Sequence, residues 1–301
     1  MTNGVERLRF PLPLRRYESF MLLDEHASYP MTFVLELRLT GRLDQEAFLS
    51  AYRRTLEVHP LLTARVERSR WSRSRWVASD TLPELHWGSH DQPSSVPAPL
   101  DITREPGVKV WVEDHPHQPR VLLQFHHVAT DGVGAIQFIG DLLARYGLST
   151  TRDGQPAPLP AAVDINRLYD RELLWPDRRF QSRLLSSTVR RLRDLSRKLP
   201  RPVVDLAATD GPRLETSDGP PPFPTYATRI IEGIPSANLQ RASRGLFSLN
   251  DLATLSMFRT VRDWNQRQSP SESSGNLRLS LPFSLRLPMH DDSPAANQLS
   301  L

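Results

Sequence analysis

Val121 to Gly132 reads VLLQFHHVATDG: an apolar strand that carries two adjacent histidines to its C-terminal end, followed by an Asp-Gly turn. Neighbouring strand residues point to opposite faces, so His126 and His127 cannot share one task. One is expected in the core and the other at a cleft. A histidine at a strand end, with an ordinary pKa near 6.5, can take a proton from an amine or hydroxyl at neutral pH. Asp131 follows where the chain turns into a helix, and there it can orient a ring, cap the helix or pair with an arginine. Gly132 is expected to allow a sharp turn and to leave its N–H free near the cleft. These residues alone leave two readings open: a satisfied core histidine beside a capped helix, or a catalytic base. Metal binding is disfavoured because the two side chains diverge and no third ligand stands at a zinc-like spacing.

Outward from this stretch, the elements alternate. Val108 to Glu113 forms a second strand candidate, antiparallel to Val121–His127, and Ala135 to Tyr146 carries a broad apolar helix face. Upstream, Met31 to Thr40 places Phe33, Leu35, Leu37 and Leu39 on one face of a half-buried strand. Asp44 then caps a helix carrying Phe48, Leu49, Tyr52 and Leu56, which His59-Pro60 ends. Leu61–Glu67 and Arg75–Ser79 read as two strands, and Gln92–Pro99 as a Pro/Ser loop. Thr151 to Pro160 holds four prolines and glycines, which marks the end of a first lobe. Beyond it, Phe180 to Leu199 describes a basic amphipathic helix that stops at Pro200. Asp210–Pro224 is a loop and Thr225–Ile234 a strand candidate. Ser248–Trp264 reads as a helix capped by Asn250 or Asp251 with Leu252, Leu255, Phe258, Val261 and Trp264 in a stripe, and Leu277–Leu285 as a last strand. The resulting domains are 1–165, a linker over 166–224, and 225–301.

Composition narrows the chemistry. With 301 residues, 39 % apolar and 24 % charged, the chain has the balance of a globular protein. It has no cysteine, which excludes disulfides, thiolate metal sites and cysteine nucleophiles. The net charge is +4, and Lys109 and Lys198 are the two lysines among 38 basic residues. Nine basic residues against two acidic ones fall between Asp177 and Arg201. Such a patch can meet an anionic membrane surface or a phosphate-bearing ligand, while a connecting helix with a solvated arginine face is the simpler reading. Without interleaved aromatics it does not point to nucleic acid. The N-terminus lacks a signal-type apolar stretch, and no run approaches the roughly 20 apolar residues of a membrane span. A cytoplasmic location is expected.

The string HHVATDG resembles the His-His-x-x-x-Asp-Gly signature of the superfamily of CoA-dependent acyltransferases. That superfamily includes chloramphenicol acetyltransferases, nonribosomal peptide synthetase condensation domains, polyketide-associated acyltransferases and wax ester synthases, many of them in secondary metabolism. Further segments are similar in order and spacing: Leu39–Asp44, His59–Arg65, Leu100–Ile102 then Pro106–Val108, Ser248–Asp251, Leu281–Arg286, and Ala296-Asn297 where relatives usually have Gly-Asn. Tyr29-Pro30-Met31 is similar to the opening of wax ester synthase-type relatives.

The resemblance implies a mixed α/β fold of two sandwich-like lobes forming a V around a tunnel, with the second lobe incomplete in this chain. It implies His127 as general base, acting on an amine or alcohol acceptor as that acceptor attacks an acyl thioester directly, with no covalent acyl-enzyme. His126 would be structural, Asp131 would hold the loop by pairing with Arg286, and Gly132 and Asn297 would stand at the tunnel. No permanently bound cofactor or metal is implied; acyl-CoA or a phosphopantetheinyl thioester on a carrier protein would be co-substrate. The alternative is a catalytically inactive remnant or carrier-protein-binding module that keeps the first lobe and the basic helix.

Overall fold

The computed structural model describes residues 8–27, 29–70, 73–89, 98–150, 162–169, 171, 203–207, 238, 248–269, 275–279, 283–284, 286 and 292–300. It divides into two compact units, 1–176 together with 282–301, and 177–281. The segment 292–300, placed on sequence grounds in a C-terminal lobe, thus packs within the first unit. The 92–97 loop, the 151–160 linker, the basic helix, the 210–224 loop and the 225–234 strand candidate lie outside the described residues, apart from Ala98 and Pro99 at the end of the first loop.

The first unit is mixed α/β. Its principal sheet has the order β2 (Thr32–Arg38), β7 (Arg120–His126), β6 (Val108–Asp114), β5 (Leu85–Ser89). β7 pairs antiparallel with both neighbours, with Phe33 opposite Phe125 and Val108 opposite Phe125. β5 runs parallel to β6. The sequence reading does not include it, because the alternation of Leu85, His86 and Trp87 ends after three residues at Gly88-Ser89. Odd-numbered positions Val121, Leu123 and Phe125, with Val108, Val110 and Val112, are buried on one face.

That face is covered by α2 (Gln45–Val58) and α3 (Gly132–Thr150). Phe138 of α3 lies edge-on to both Phe125, at 5.9 Å, and Tyr52 of α2, at 6.3 Å. Each such fully buried aromatic or aliphatic side chain contributes about 1.5–3 kcal/mol. Asp44 caps α2 as expected, accepting from the Ala47 N–H at 2.9 Å, while its own N–H donates to the Tyr146 hydroxyl. α2 ends at His59, whose successor Pro60 opens a 3-10 turn over Pro60–Thr63. The strand expected from Leu61 is therefore shortened to β3 (Ala64–Glu67).

A smaller sheet has the order β1 (Leu12–Pro13), β4 (Arg75–Ala78), β3. Together with α1 (Arg16–Asp24) it encloses Trp76, which is fully buried. The arginine- and proline-rich N-terminus hides β1 and α1 from a reading by periodicity. Their anchor is Glu18, buried and accepting from Trp76 Nε1 at 3.1 Å and from Arg171 through Nε and Nη2 at 2.5 and 2.7 Å. Arg171 spends two further hydrogen bonds on the Leu168 and Pro13 carbonyls. A buried ion pair persists only when its remaining donors are satisfied in this way.

In the second unit, α4 (Leu249–Gln268) is capped by Ser248, whose hydroxyl accepts from the Asp251 N–H while Asp251 accepts from the Ser248 N–H. This corrects the expected cap at Asn250 or Asp251: Asp251 is the reciprocal acid three residues in. Asn265 and Trp264 fasten the helix to 205–207, and Leu255 of the expected stripe is 56 % exposed. In the first unit, the described part of Leu277–Leu285 that forms a strand is β8 (Phe283–Ser284), paired antiparallel with β9 (Leu299–Ser300). Among the described residues, no helix is long and apolar enough to cross a membrane.

Candidate functional site

His126 is the last residue of β7, and the chain then turns over residues 127–129 before α3 starts at Gly132. The two histidines diverge, with His126 closing β7 one residue short of the expected strand end and His127 opening the turn. His126 is fully buried, with Nε2 2.9 Å from Glu25 Oε1. The His127 ring instead lies against Phe33, centroid to centroid 4.5 Å. Its main chain is held on both sides: the N–H donates to the Met31 carbonyl at 2.7 Å, and the carbonyl accepts from Asn297 Nδ2. Nδ1 of His127 is buried with no hydrogen-bond partner among the described residues. Burial holds the imidazole below its ordinary pKa, reinforced by His126 and opposed by the Asp131 carboxylate and the Thr130 backbone. Burial thus favours the neutral ring, the state a base needs.

Asp131 is buried and receives three donors. Its Oδ1 accepts from the Gly134 N–H at 2.8 Å, which caps α3; its Oδ2 accepts from Arg286 Nη1 at 2.6 Å and from the Gln298 N–H at 3.0 Å. The Arg286 guanidinium also reaches the Ala296 carbonyl at 2.8 Å. The carboxylate thus joins the turn, the start of α3 and the segment 292–298. Tyr17 of α1 senses the same charge: burial first, and Asp131 second, push its phenol up.

Two glycines show how tightly this turn is packed. A Cβ on Gly107 would stand 2.5 Å from Ala129 Cβ, and one on Gly134 would strike Thr130 Oγ1 and lie 3.0 Å from the Ala296 carbonyl. Gly132 differs. It does not have the left-handed φ that a glycine-specific turn requires; among the described glycines that belongs to Gly41, at 89°. The expected sharp turn is thus corrected to an ordinary first helical residue. Among the described residues its neighbourhood is open, with nothing within 4 Å of a built Cβ.

All six residues singled out in the sequence, His126, His127, Asp131, Gly132, Arg286 and Asn297, are brought to this one turn and its contacts. Sequence reading missed His59 and Asp141. His59 is buried, with Nε2 2.9 Å from Asp141 Oδ2 and Nδ1 accepting the Ala295 N–H at 2.8 Å. It docks the 292–298 segment against α2 and α3; in the sequence it stands out as a helix end before Pro60 and as the start of the His59–Arg65 segment, with neither pointing to Asp141. Burial lowers its pKa, opposed by Asp141. Glu25, adjacent to the exposed end of α1, carried no signal at all.

No family model matches the chain. Two uncharacterized proteins of Mycobacterium tuberculosis, MT2362 and Rv2305, are 26 % identical over 262 residues, covering 83 % of this chain and 56 % of theirs. The chain spans about half the length of these curated relatives. Among solved structures, the starter condensation domain of rhizomide synthetase in complex with C8-CoA matches with a TM-score of 0.49 at 14 % identity, over 66 % of this chain and 49 % of that one. The chain is similar to condensation domains. The first condensation domain of the calcium-dependent antibiotic synthetase, in complex with a substrate analogue, matches at 0.45 and 18 % identity, over 58 % and 46 %. Polyketide synthase associated protein 5 from Mycobacterium tuberculosis matches at 0.38 and 20 %, over 57 % and 41 %.

Proposed function

We propose that the turn from His126 to Gly132 serves acyl transfer from a thioester to an amine or hydroxyl. The observation that carries this reading is His127: a largely buried imidazole held below its ordinary pKa, whose backbone is pinned on both sides. In the proposed step His127 accepts the proton of the acceptor N–H or O–H as the acceptor atom bonds to the thioester carbonyl carbon. The carbon–sulfur bond breaks, and the proton passes from the imidazolium to the departing thiolate. No covalent enzyme intermediate is needed, in keeping with a chain that has no cysteine. The Asp131 carboxylate, four residues on, favours the imidazolium while that proton is held. Asp131 with Arg286, and Asn297, fix the turn rather than touch the reacting atoms.

The donor in this proposal is an acyl-CoA or an acyl or peptidyl group on the phosphopantetheine of a carrier protein. The test is to offer the protein a panel of acyl-CoA and carrier-bound thioesters with amine and alcohol acceptors and to measure thiol release. Acceptor-dependent release of free thiol supports the reading. Consumption that is absent, or independent of the acceptor, overturns it.

A further inference from the structure

Each backbone N–H of the three residues after His127 ends on His126. The Val128 N–H donates to His126 Nδ1 at 3.1 Å, and the Ala129 and Thr130 N–H groups donate to the His126 carbonyl at 2.9 and 3.3 Å. The turn that presents His127 is thus organised by the side chain and carbonyl of the residue before it. Accepting from Val128 requires Nδ1 to be unprotonated, which leaves the proton of the neutral ring on Nε2. A ring protonated at both nitrogens would set N–H against N–H and open the turn.

Nε2 faces one acceptor, Glu25 Oε1, at 2.9 Å. Glu25 is the residue that follows α1, with a side chain 19 % exposed. Arg68, just past β3, stands 3.6 Å from its other oxygen and donates to the Leu22 carbonyl of α1 at 3.3 Å. The arginine keeps a positive charge beside the carboxylate and ties it to the end of α1.

We infer that Glu25 is a positioning residue for His127: by accepting the Nε2 proton of His126, it holds that ring in the tautomer whose Nδ1 fastens the 127–130 turn. A carboxylate that orients an imidazole normally acts on the ring that does the chemistry. Here it acts on the neighbour, and the effect reaches His127 through the Val128 N–H. The inference rests on His127 being the base, but its first readout does not.

The experiment compares the full chain with Glu25→Ala and Glu25→Gln, using histidine labelled with nitrogen-15. The wild type should show His126 with its proton on Nε2. Glu25→Ala should mix the tautomers, speed Val128 amide exchange about 10-fold as that hydrogen bond weakens, and lower kcat for acceptor-dependent thiol release by about 10-fold with KM little changed. Glu25→Gln keeps an acceptor oxygen at the same reach and should restore both tautomer and kcat. A proton on His126 Nδ1 in the wild type overturns the inference, whatever the variants do. So does a folded Glu25→Ala with unchanged tautomer and Val128 exchange. If the tautomer depends on Glu25 while no thioester is consumed even by the wild type, the link from Glu25 to the turn stands and the acyl-transfer reading falls.

Discussion

Asp131 Oδ2 and Arg286 Nη1, 155 positions apart in sequence, lie 2.6 Å from each other, with the side chains 1 % and 11 % exposed. Removing one partner leaves a charge buried without its counterion, which typically costs 3–5 kcal/mol. Arg286→Ala should therefore lower the unfolding free energy by about 3–5 kcal/mol in urea denaturation. A loss below about 1 kcal/mol would place the pair among weak surface bridges instead.

The Glu18–Arg171 pair makes the same kind of claim away from the site. Arg171→Ala should destabilise by about 3–5 kcal/mol and leave Trp76 without its fixed acceptor. Trp76 emission in a variant whose other tryptophans are replaced by phenylalanine should shift on Arg171→Ala. An unmoved spectrum and stability would contradict the packing described for Glu18.

The two glycines of the α3 start should separate stability from turnover. Gly134→Ala forces a Cβ onto Thr130 Oγ1 and the Ala296 backbone, and overpacking of this kind costs about 1–3 kcal/mol. Gly132→Ala meets nothing within 4 Å and should change stability by less than about 0.5 kcal/mol. If substrate passes Gly132, the same change should slow acyl transfer by about 10-fold or more. Equal effects of the two substitutions on stability would contradict the geometry.

Burial holds both His59 and His127 below their ordinary values. The unfolded chain then binds protons more readily, so the stability these groups contribute is complete above the unfolded value near 6.5 and declines as pH falls below it. The urea midpoint should drop between pH 7 and pH 5, and His59→Gln should reduce that drop, with the remainder from His127 and other groups. Parallel pH profiles would remove His59 from this account.

Where the fold was legible, one period carried the information. Phe33 to Leu39 and Val108 to Val112 alternate because one face of each strand is turned to the core, whereas Val121 to Phe125 is apolar apart from Gln124 and is buried at every position. Asp44 reads as a cap because it stands directly before the helical period of α2, and its carboxylate accepts from the Ala47 N–H. β5 escapes that reading because its apolar alternation ends at Trp87, with Gly88 and Ser89 after it. α1 escapes it because one of its two buried residues, beside Leu22, is a glutamate, and Glu18 is intelligible only with Arg171 beside it. The site divides in the same way. Divergence of His126 and His127 is expected from the strand pattern alone, whereas the pairing of Asp131 with Arg286 came only from a family resemblance. His59, Asp141 and Glu25 act through contacts 82 and 101 residues long, and no local pattern encodes those.

The central claim is that the His127 imidazole removes the acceptor's proton, and the most direct measurement is acceptor-dependent thiol release by wild type and His127→Ala, with urea unfolding of both proteins. The account predicts a fall of at least about 100-fold in rate with the unfolding midpoint nearly unchanged. An undiminished rate in a folded His127→Ala variant would contradict it.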